Sequence, residues 1–544
     1  MQPIKIPEVF VMTDVWTAVI IIGIMFALFY YIGYRGMKMT TSTDDLYAAG
    51  FKIGPIANGL AMASTWASLA TFLGVSALIL KLQVPFVYLW IQWALSIPLI
   101  TLLYGTSMRR MRAYTPCTFI KARYGNPATM VIACWMILVM IMYALGQLIG
   151  LGQTVEVLFG VKYEIALLIS GVVVIGYMVA GGMTGASYNA AFQMVIMMIT
   201  MVVPIGYVMK LMGSSGWWFP PLAYGDMTES MLKVIPTFFD TKYDFRWYFA
   251  LIPAFTLGPV ALPHLAARVF TSSSLKSARW AVVWFALFLG FLFSATYVVG
   301  FAGNYFQATT GVIIKKPDQI TLILQLIYSP QWVAAFVLAG ALAAGVSTLN
   351  GNLMAIAALV GSDILGIVAP KMDPKRKVKV GFICLAAGGI VALLLAFNPP
   401  TFLVTSILWA FGLLASTATP GILMGVWWKQ ANKYALICSS MICGIIFIVI
   451  SPYVIKSIVV GKGVTAALGM SGGLVTIPLS FALFIFLSLI FNKMGWAPSQ
   501  EEKALLDRIH GWNDYRENRY NGKGWPIVVA IVCLVITWWG LQPW

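Results

Sequence analysis

Apolar stretches recur along the whole of this 544-residue chain, with only short polar turns between most of them. Each is about 20 residues long, the length of helix that crosses the hydrocarbon of a bilayer. No water is available at that depth, so a crossing backbone must satisfy its own hydrogen bonds. Helices do this within one segment. Barrel strands would instead show an apolar-polar alternation over about ten residues, which these stretches do not match. Charged residues make up 10% of the chain, where a soluble domain carries about 25%. The expected fold class is therefore an all-α polytopic membrane protein. Fourteen spans are expected, near 14–34, 54–80, 85–105, 128–157, 164–182, 188–210, 247–267, 280–303, 330–366, 379–398, 402–427, 434–455, 472–492 and 525–541.

The basic residues give these spans a direction. Of 35 Lys and Arg, 24 fall in the loops near 35–52, 109–123, 268–279, 371–379, 429–433 and 493–523, and 11 on the opposite side. Loops rich in Lys and Arg stay in the cytoplasm. With an even number of spans, both termini are then expected outside the plasma membrane (the periplasmic side, for a bacterial inner membrane). The 18 acidic residues divide evenly, so the net charge of +17 reads as a topology signal facing anionic lipid. No nucleic-acid role is expected. Met1–Asp14 has no basic n-region, so no cleaved signal peptide is expected. The six Cys (Cys117, Cys134, Cys384, Cys438, Cys443 and Cys533) show no metal spacing and are expected to be small buried hydrophobes. Met212–Arg246 reads as an outer loop over the entrance, with Trp217 and Trp218. In the inner segment 493–523, Ser499 and Glu502 are spaced as a capping box for a short surface helix that includes His510.

Two of the apolar stretches are interrupted. One reads NGLAMASTWASLATFLG over 58–74 and breaks at Ala63–Ser68; the other reads LGPVALPHLAARVF over 257–270 and is expected to break at Phe255–Pro259. Pro259 lacks a backbone N–H and so frees a carbonyl one turn back. Setting aside the first span and the last three leaves ten, five in 54–212 and five in 247–428. Five is odd, so the two halves enter the membrane from opposite sides, each opening on an interrupted span. Matching interruptions in two inverted halves point to a transporter binding site near the midplane. The remaining parts are 1–53 (extracellular N-terminus, an extra first helix and a cytoplasmic loop), the extracellular loop 213–246, and accessory helices in 429–544.

The ninth span carries ALAAGVST over 341–348, where Ser347 and Thr348 place two hydroxyls side by side. Two readings fit them. Oxygen donors suit a hard cation such as sodium; hydroxyls in membrane helices also bond back to carbonyls one turn earlier.

At this point the chain resembles the sodium:solute symporter family. The resemblance rests on 58–74, on MRRMRAYTPCTFIKARYG at 108–125, GGMTGASYNAAFQ at 181–193, LPHLAARVF at 262–270, ALAAGVSTLNG at 341–351 with Ser362-Asp363, and LLASTATPGIL at 413–423. In these stretches it is similar to the branch that holds acetate and other monocarboxylate permeases. The resemblance implies a LeuT-type five-plus-five inverted repeat working by alternating access. It implies a sodium site made by the carbonyls of Ser64, Ala67 and Ala344 and the hydroxyls of Ser347 and Thr348. It implies a solute site near Trp66, Ser68, Thr71, Phe255 and Thr256, with Tyr143 and Gln147 nearby. Where many members carry an Asp in the 181–193 motif, this chain has Ala190, so one sodium ion per cycle is expected.

The site region holds hydroxyls, aromatics and no carboxylate. A cationic solute would want a carboxylate or an aromatic cage. A small anion can be held by helix N-termini and hydroxyls. A short monocarboxylate is therefore expected, with a neutral or zwitterionic solute (proline or another amino acid, or urea) as the alternative. His264 reads as a buried His bonded to backbone, with a proton-linked or solute-contacting role as its alternative. Arg268 is expected at the inner interface. A membrane sensor on the same fold would need a signalling domain, and 493–523 is too short for one. A membrane enzyme would need a catalytic cluster, which two His and scattered acids do not supply. The expected partners are a small-molecule solute and the lipid bilayer, with no obligate protein partner evident.

Overall fold

A computed structural model of the chain describes residues 10–39, 43–82, 100, 104–178, 182–212, 224–238, 253–399, 403–450, 464–511, 531 and 535. Among the described residues there is no strand, only one isolated backbone bridge between Ile53 and Ser272. Eight helices among the described residues are long and apolar enough to cross a membrane, or ten if each of two bent pairs is one span. The chain is thus an integral membrane protein. The shorter helix Tyr163–Met178 occupies the span expected near 164–182. The expected spans at 85–105 and 525–541 lie largely outside the described residues, as does the first part of 247–267.

The two bent pairs have local causes. Pro55–Trp66 and Ala70–Lys81 meet at 60° across Ala67–Leu69. Val404–Thr417 and Thr419–Trp427 meet at 42°, where Pro420 cannot donate to the helix before it. The second bend falls inside the span expected near 402–427. The half-helix Pro55–Trp66 is held between Leu275–Thr310 and Gly182–Leu211. Its Gly59 is a forced choice: a Cβ there would stand 2.4 Å from Trp284 Cβ and 2.8 Å from Ala281 O. Gln331–Ala358 packs against Gly182–Leu211 and Pro116–Phe159, which brings the ninth span's small residues to the first break. The first helix, Val15–Met39, lies on Gly182–Leu211 and passes so closely that a Cβ on Gly36 would meet Gly185 Cα at 2.2 Å.

Two expectations change, and one loop contains a helix. The loop before the fourth span contains a helix from Pro116, started by a capping box between Thr115 and Thr118 and separated from the span by Gly125 (φ 79°). The Ser499–Glu502 capping box forms, with bonds of 2.7 and 3.2 Å. Its helix, Gln500–His510, is docked rather than lying on the surface: Leu505, Leu506 and Ile509 are buried, and His510 Nε2 meets Val426 O at 2.8 Å. Of the five described cysteines only Cys117 and Cys443 are buried, while Cys134 is exposed. In a spanning helix the outward face meets lipid, so an apolar residue gains nothing by facing inward.

Candidate solute and ion site

A helix that stops inside the membrane leaves unpaired N–H and C=O groups. At the first break Ala67 turns out of the helix (φ −69°, ψ 69°), and the Ser68 N–H donates to Trp66 O at 2.7 Å. The next segment restarts as a π turn, Ala70–Gly74. Its first donors are capped by side chains: the Leu69 N–H donates to Gln147 Oε1 at 3.0 Å and the Ala70 N–H to Ser68 Oγ at 3.1 Å. Gln147 therefore serves the break itself and is not among the residues lining the solute cavity. Its Nε2 is buried and has no partner.

The second break lies a turn later than expected. Helix continues through Gly258, whose N–H donates to Ala254 O at 2.9 Å; a single 3-10 turn follows at Pro259–Ala261, and the helix restarts at Pro263. Two prolines four residues apart explain the shift, because each takes the first helical position, where its missing N–H costs nothing. Thr419 donates to Leu257 O at 3.0 Å, and the Tyr104 hydroxyl donates to Val260 O. Thr256 Oγ1 is buried without a partner.

Facing the first break, the Ser347 hydroxyl lies 3.0 Å from both Ser64 O and Ala344 O, and the Thr348 hydroxyl donates to Thr65 O at 3.2 Å. Both readings of this pair have a counterpart in the geometry. Ser347 reaches one turn back, and both hydroxyls cross to the broken helix. Ser64 Oγ is buried here with no partner. The donor set contains oxygen only, which fits a hard cation. Thr65 O joins this oxygen cluster, although it was not among the ligands expected from the sequence.

A cavity of about 50 Å³ lies between the two breaks. Trp66, Ser68, Thr71, Tyr143 and Phe255, all expected at the solute site, line it. Thr256 does not. Phe411, not foreseen, lies at its centre, with ring centroids 6.1 Å from Trp66, 5.8 Å from Tyr143 and 5.9 Å from Phe255. His264 packs behind the wall, 5.1 Å from the Tyr143 ring. Its Nδ1 is 3.3 Å from Met140 Sδ, a sulfur contact in place of the expected backbone bond. Arg268 is corrected as well. It is 1% exposed, with its guanidinium on Ser187 Oγ (2.7 Å), Thr65 Oγ1 (3.3 Å) and Met183 Sδ (3.5 Å). Every residue of its eight-residue half-helix is buried among neighbouring elements. At the position where an acid was weighed, Ala190 packs against Ala61.

The sodium:solute symporter family model matches residues 46–444. The chain belongs to this family. The match runs from the short helix before the first break into the helix Lys433–Ile450, so both breaks and the Ser347–Thr348 pair fall inside the matched residues. Among solved structures, a substrate-bound, outward-open Na+-coupled sialic acid symporter superimposes with a TM-score of 0.70 at 17% identity, covering 89% of this chain and 99% of that one. Mhp1, a nucleobase-cation-symport-1 family transporter closed around bromovinylhydantoin, gives 0.51 at 13% identity, covering 86% of this chain and 99% of that one. A manganese transporter from Eremococcus coleocola gives 0.50 at 11% identity, covering 81% and 95%. These likenesses show that this symporter-family chain has an all-helical fold of the LeuT type. Family and neighbours are transporters rather than enzymes.

Proposed function

We propose that the protein imports a short monocarboxylate together with one sodium ion, by alternating access of a five-plus-five inverted repeat. The observation that carries this reading is the oxygen cluster at the first break: the Ser347 and Thr348 hydroxyls meet the carbonyls of Ser64, Thr65 and Ala344, beside the Trp66 and Ser68 that line a small aromatic cavity, and we infer that the Ala67 carbonyl completes the sodium ligands. Sodium on that cluster fixes the ninth span against the broken helix, and so sets the wall that the solute sees. The cavity's size favours a small solute. At roughly 15 Å³ of such volume per water, about 50 Å³ accommodates something the size of acetate and not proline. Ser68, Thr71 and Tyr143 supply hydroxyls for a carboxylate, and Trp66, Phe255 and Phe411 cover its apolar end. Trp66, Ser68, Thr71, Tyr143 and Phe255 are the proposed solute contacts; Gln147 and Thr256 support the breaks, and His264 supports Tyr143.

The positive-inside rule supports extracellular termini. In intact cells an impermeant thiol reagent then labels Thr310→Cys and spares Lys375→Cys; the opposite pattern inverts the topology.

Uptake of labelled acetate, pyruvate, urea and proline into proteoliposomes tests the whole reading. Acetate or pyruvate accumulating only under an inward sodium gradient is expected. Sodium-driven uptake of urea or proline alone moves the assignment to a neutral or zwitterionic solute. Solute binding without net transport would favour a sensor on this fold.

A further inference from the structure

One buried acid lies outside the spans and outside the site described above. Asp318 sits in the turn Pro317–Gln319 between the helices Leu275–Thr310 and Ile320–Tyr328, and it is 1% exposed. Its Oδ2 accepts from the Leu403 N–H at 3.0 Å. Its Oδ1 is buried without a partner, and so is Oε1 of Gln153, whose side chain reaches the Asp318 carboxyl. Among the described residues no Lys or Arg forms an ion pair with it. An isolated buried carboxylate is expensive, and the usual remedy is a counter-ion or a proton. A metal cation would want five or six oxygens, and only two are bare here. One proton suffices: on Oδ1 it removes the charge and supplies the donor that Gln153 Oε1 lacks.

The location gives that proton something to control. Leu403 opens the helix Val404–Thr417, and Val404, Ile407 and Phe411 of that helix line the solute cavity. Gln153 belongs to Pro116–Phe159, which supplies Tyr143. Thr321, three residues after Asp318, donates to Phe72 O in the π turn of the first break at 3.2 Å. The Asp318 turn thus ties together three elements that wall the cavity. A surface cavity of about 630 Å³, lined in part by Glu156, Lys315, Lys316 and Gln319, opens beside this turn.

We propose that Asp318 and Gln153 form a proton site that latches the solute cavity shut on this side: a proton on Asp318 Oδ1, donated to Gln153 Oε1, holds the walls together, and its loss to water accompanies their separation. The sign follows from linkage. Burial raises the carboxyl to about 7, opposed in part by the Leu403 N–H that donates to Oδ2. A water-exposed Asp titrates near 4. The proton therefore binds the closed arrangement more tightly and favours it below neutral pH. Other charges face the same turn. Glu156 is spoken for by Lys316 at 2.5 Å and by Gln319 at 2.8 Å. Lys315 lines the neighbouring cavity, Lys81 ends the helix Val75–Leu82 packed on the turn, and Tyr163 and Glu164 begin the next span.

The test needs no solute and so stands apart from the proposed transport. Val404→Cys, with the six native Cys replaced, is labelled in proteoliposomes by an impermeant thiol reagent at pH 6 and pH 8. Rates are divided by those of the same protein carrying Asp318→Asn, which cancels the thiol's own titration. Asn keeps both hydrogen bonds of the protonated acid and should stay latched. The ratio is expected to rise about tenfold from pH 6 to pH 8, and Glu156→Gln should leave that rise intact. A ratio that does not change with pH overturns the proposal, as does a rise abolished by Glu156→Gln. Should Asp318→Asn fail to fold, the pH dependence of the Asp318 protein, normalised to a free thiol, decides in the same way.

Discussion

Ser347 and Thr348 show how a single side chain is bound to its surroundings in an apolar interior. Each hydroxyl crosses to a carbonyl on the broken helix, at 3.0 and 3.2 Å, and such a bond contributes about 0.5–1.5 kcal/mol. Replacing either residue by Ala should cost about that much stability. It should also raise the sodium concentration for half-maximal uptake roughly tenfold, equivalent to about 1.4 kcal/mol of ion binding. A sodium titration of uptake checks this; an unchanged sodium dependence in the Ser347→Ala/Thr348→Ala double variant removes the proposed ion site. Arg268 illustrates the opposite situation. Thr65 and Ser187 already spend their hydroxyl protons on Ala61 O and Met183 O, at 2.7 and 2.8 Å, so both turn lone pairs toward the guanidinium. Thr65 then links the buried cation on one side to Thr348 on the other.

At the scale of elements, the two breaks do different work. The first is a 60° bend completed by a π turn and capped by Gln147 from another helix. The second is a proline-framed 3-10 turn held against the helix Val404–Thr417. Gly258 makes that contact possible, since a Cβ there would lie 2.5 Å from Phe411 O and 2.6 Å from Phe411 Cβ. Gly258→Ala should therefore push Phe411 into the cavity and destabilise by about 1–3 kcal/mol, the usual range for overpacking. Solute affinity should fall more than sodium affinity, because the oxygen cluster lies on the first break. Equal loss of both, measured by solute and sodium titrations of uptake, would contradict this division of labour.

For the whole molecule, charge balance sets the energetics. One charge moving inward across 100 mV releases about 2.3 kcal/mol, and a tenfold sodium gradient adds about 1.4 kcal/mol. If one sodium accompanies a monovalent anion, the charges cancel and only the gradient drives uptake. Initial uptake should then be unaffected by an imposed inside-negative potassium diffusion potential. Clear stimulation by that potential points instead to a neutral solute or to more than one sodium per cycle.

The apolar stretches by themselves determined that the chain is a bundle of spanning helices, because a bilayer admits only helices or closed barrels and runs of about 20 apolar residues do not alternate as barrel strands do. The interruption at Ser64–Ser68 was equally visible, since small polar residues in an apolar run have a local signature, and the family resemblance pointed to five of the residues that line the cavity. Tertiary structure decided what distance in sequence conceals. Phe411 and Gln147 reach the breaks from helices whose local pattern is ordinary. The prolines that frame the second break are in the sequence, but its seat against Phe411 through Gly258 is not. Arg268 and Asp318 look like surface charges in sequence, at the end of a helix and in a loop. Only the packing of neighbouring helices buries them, and burial is what turns a charge into a constraint.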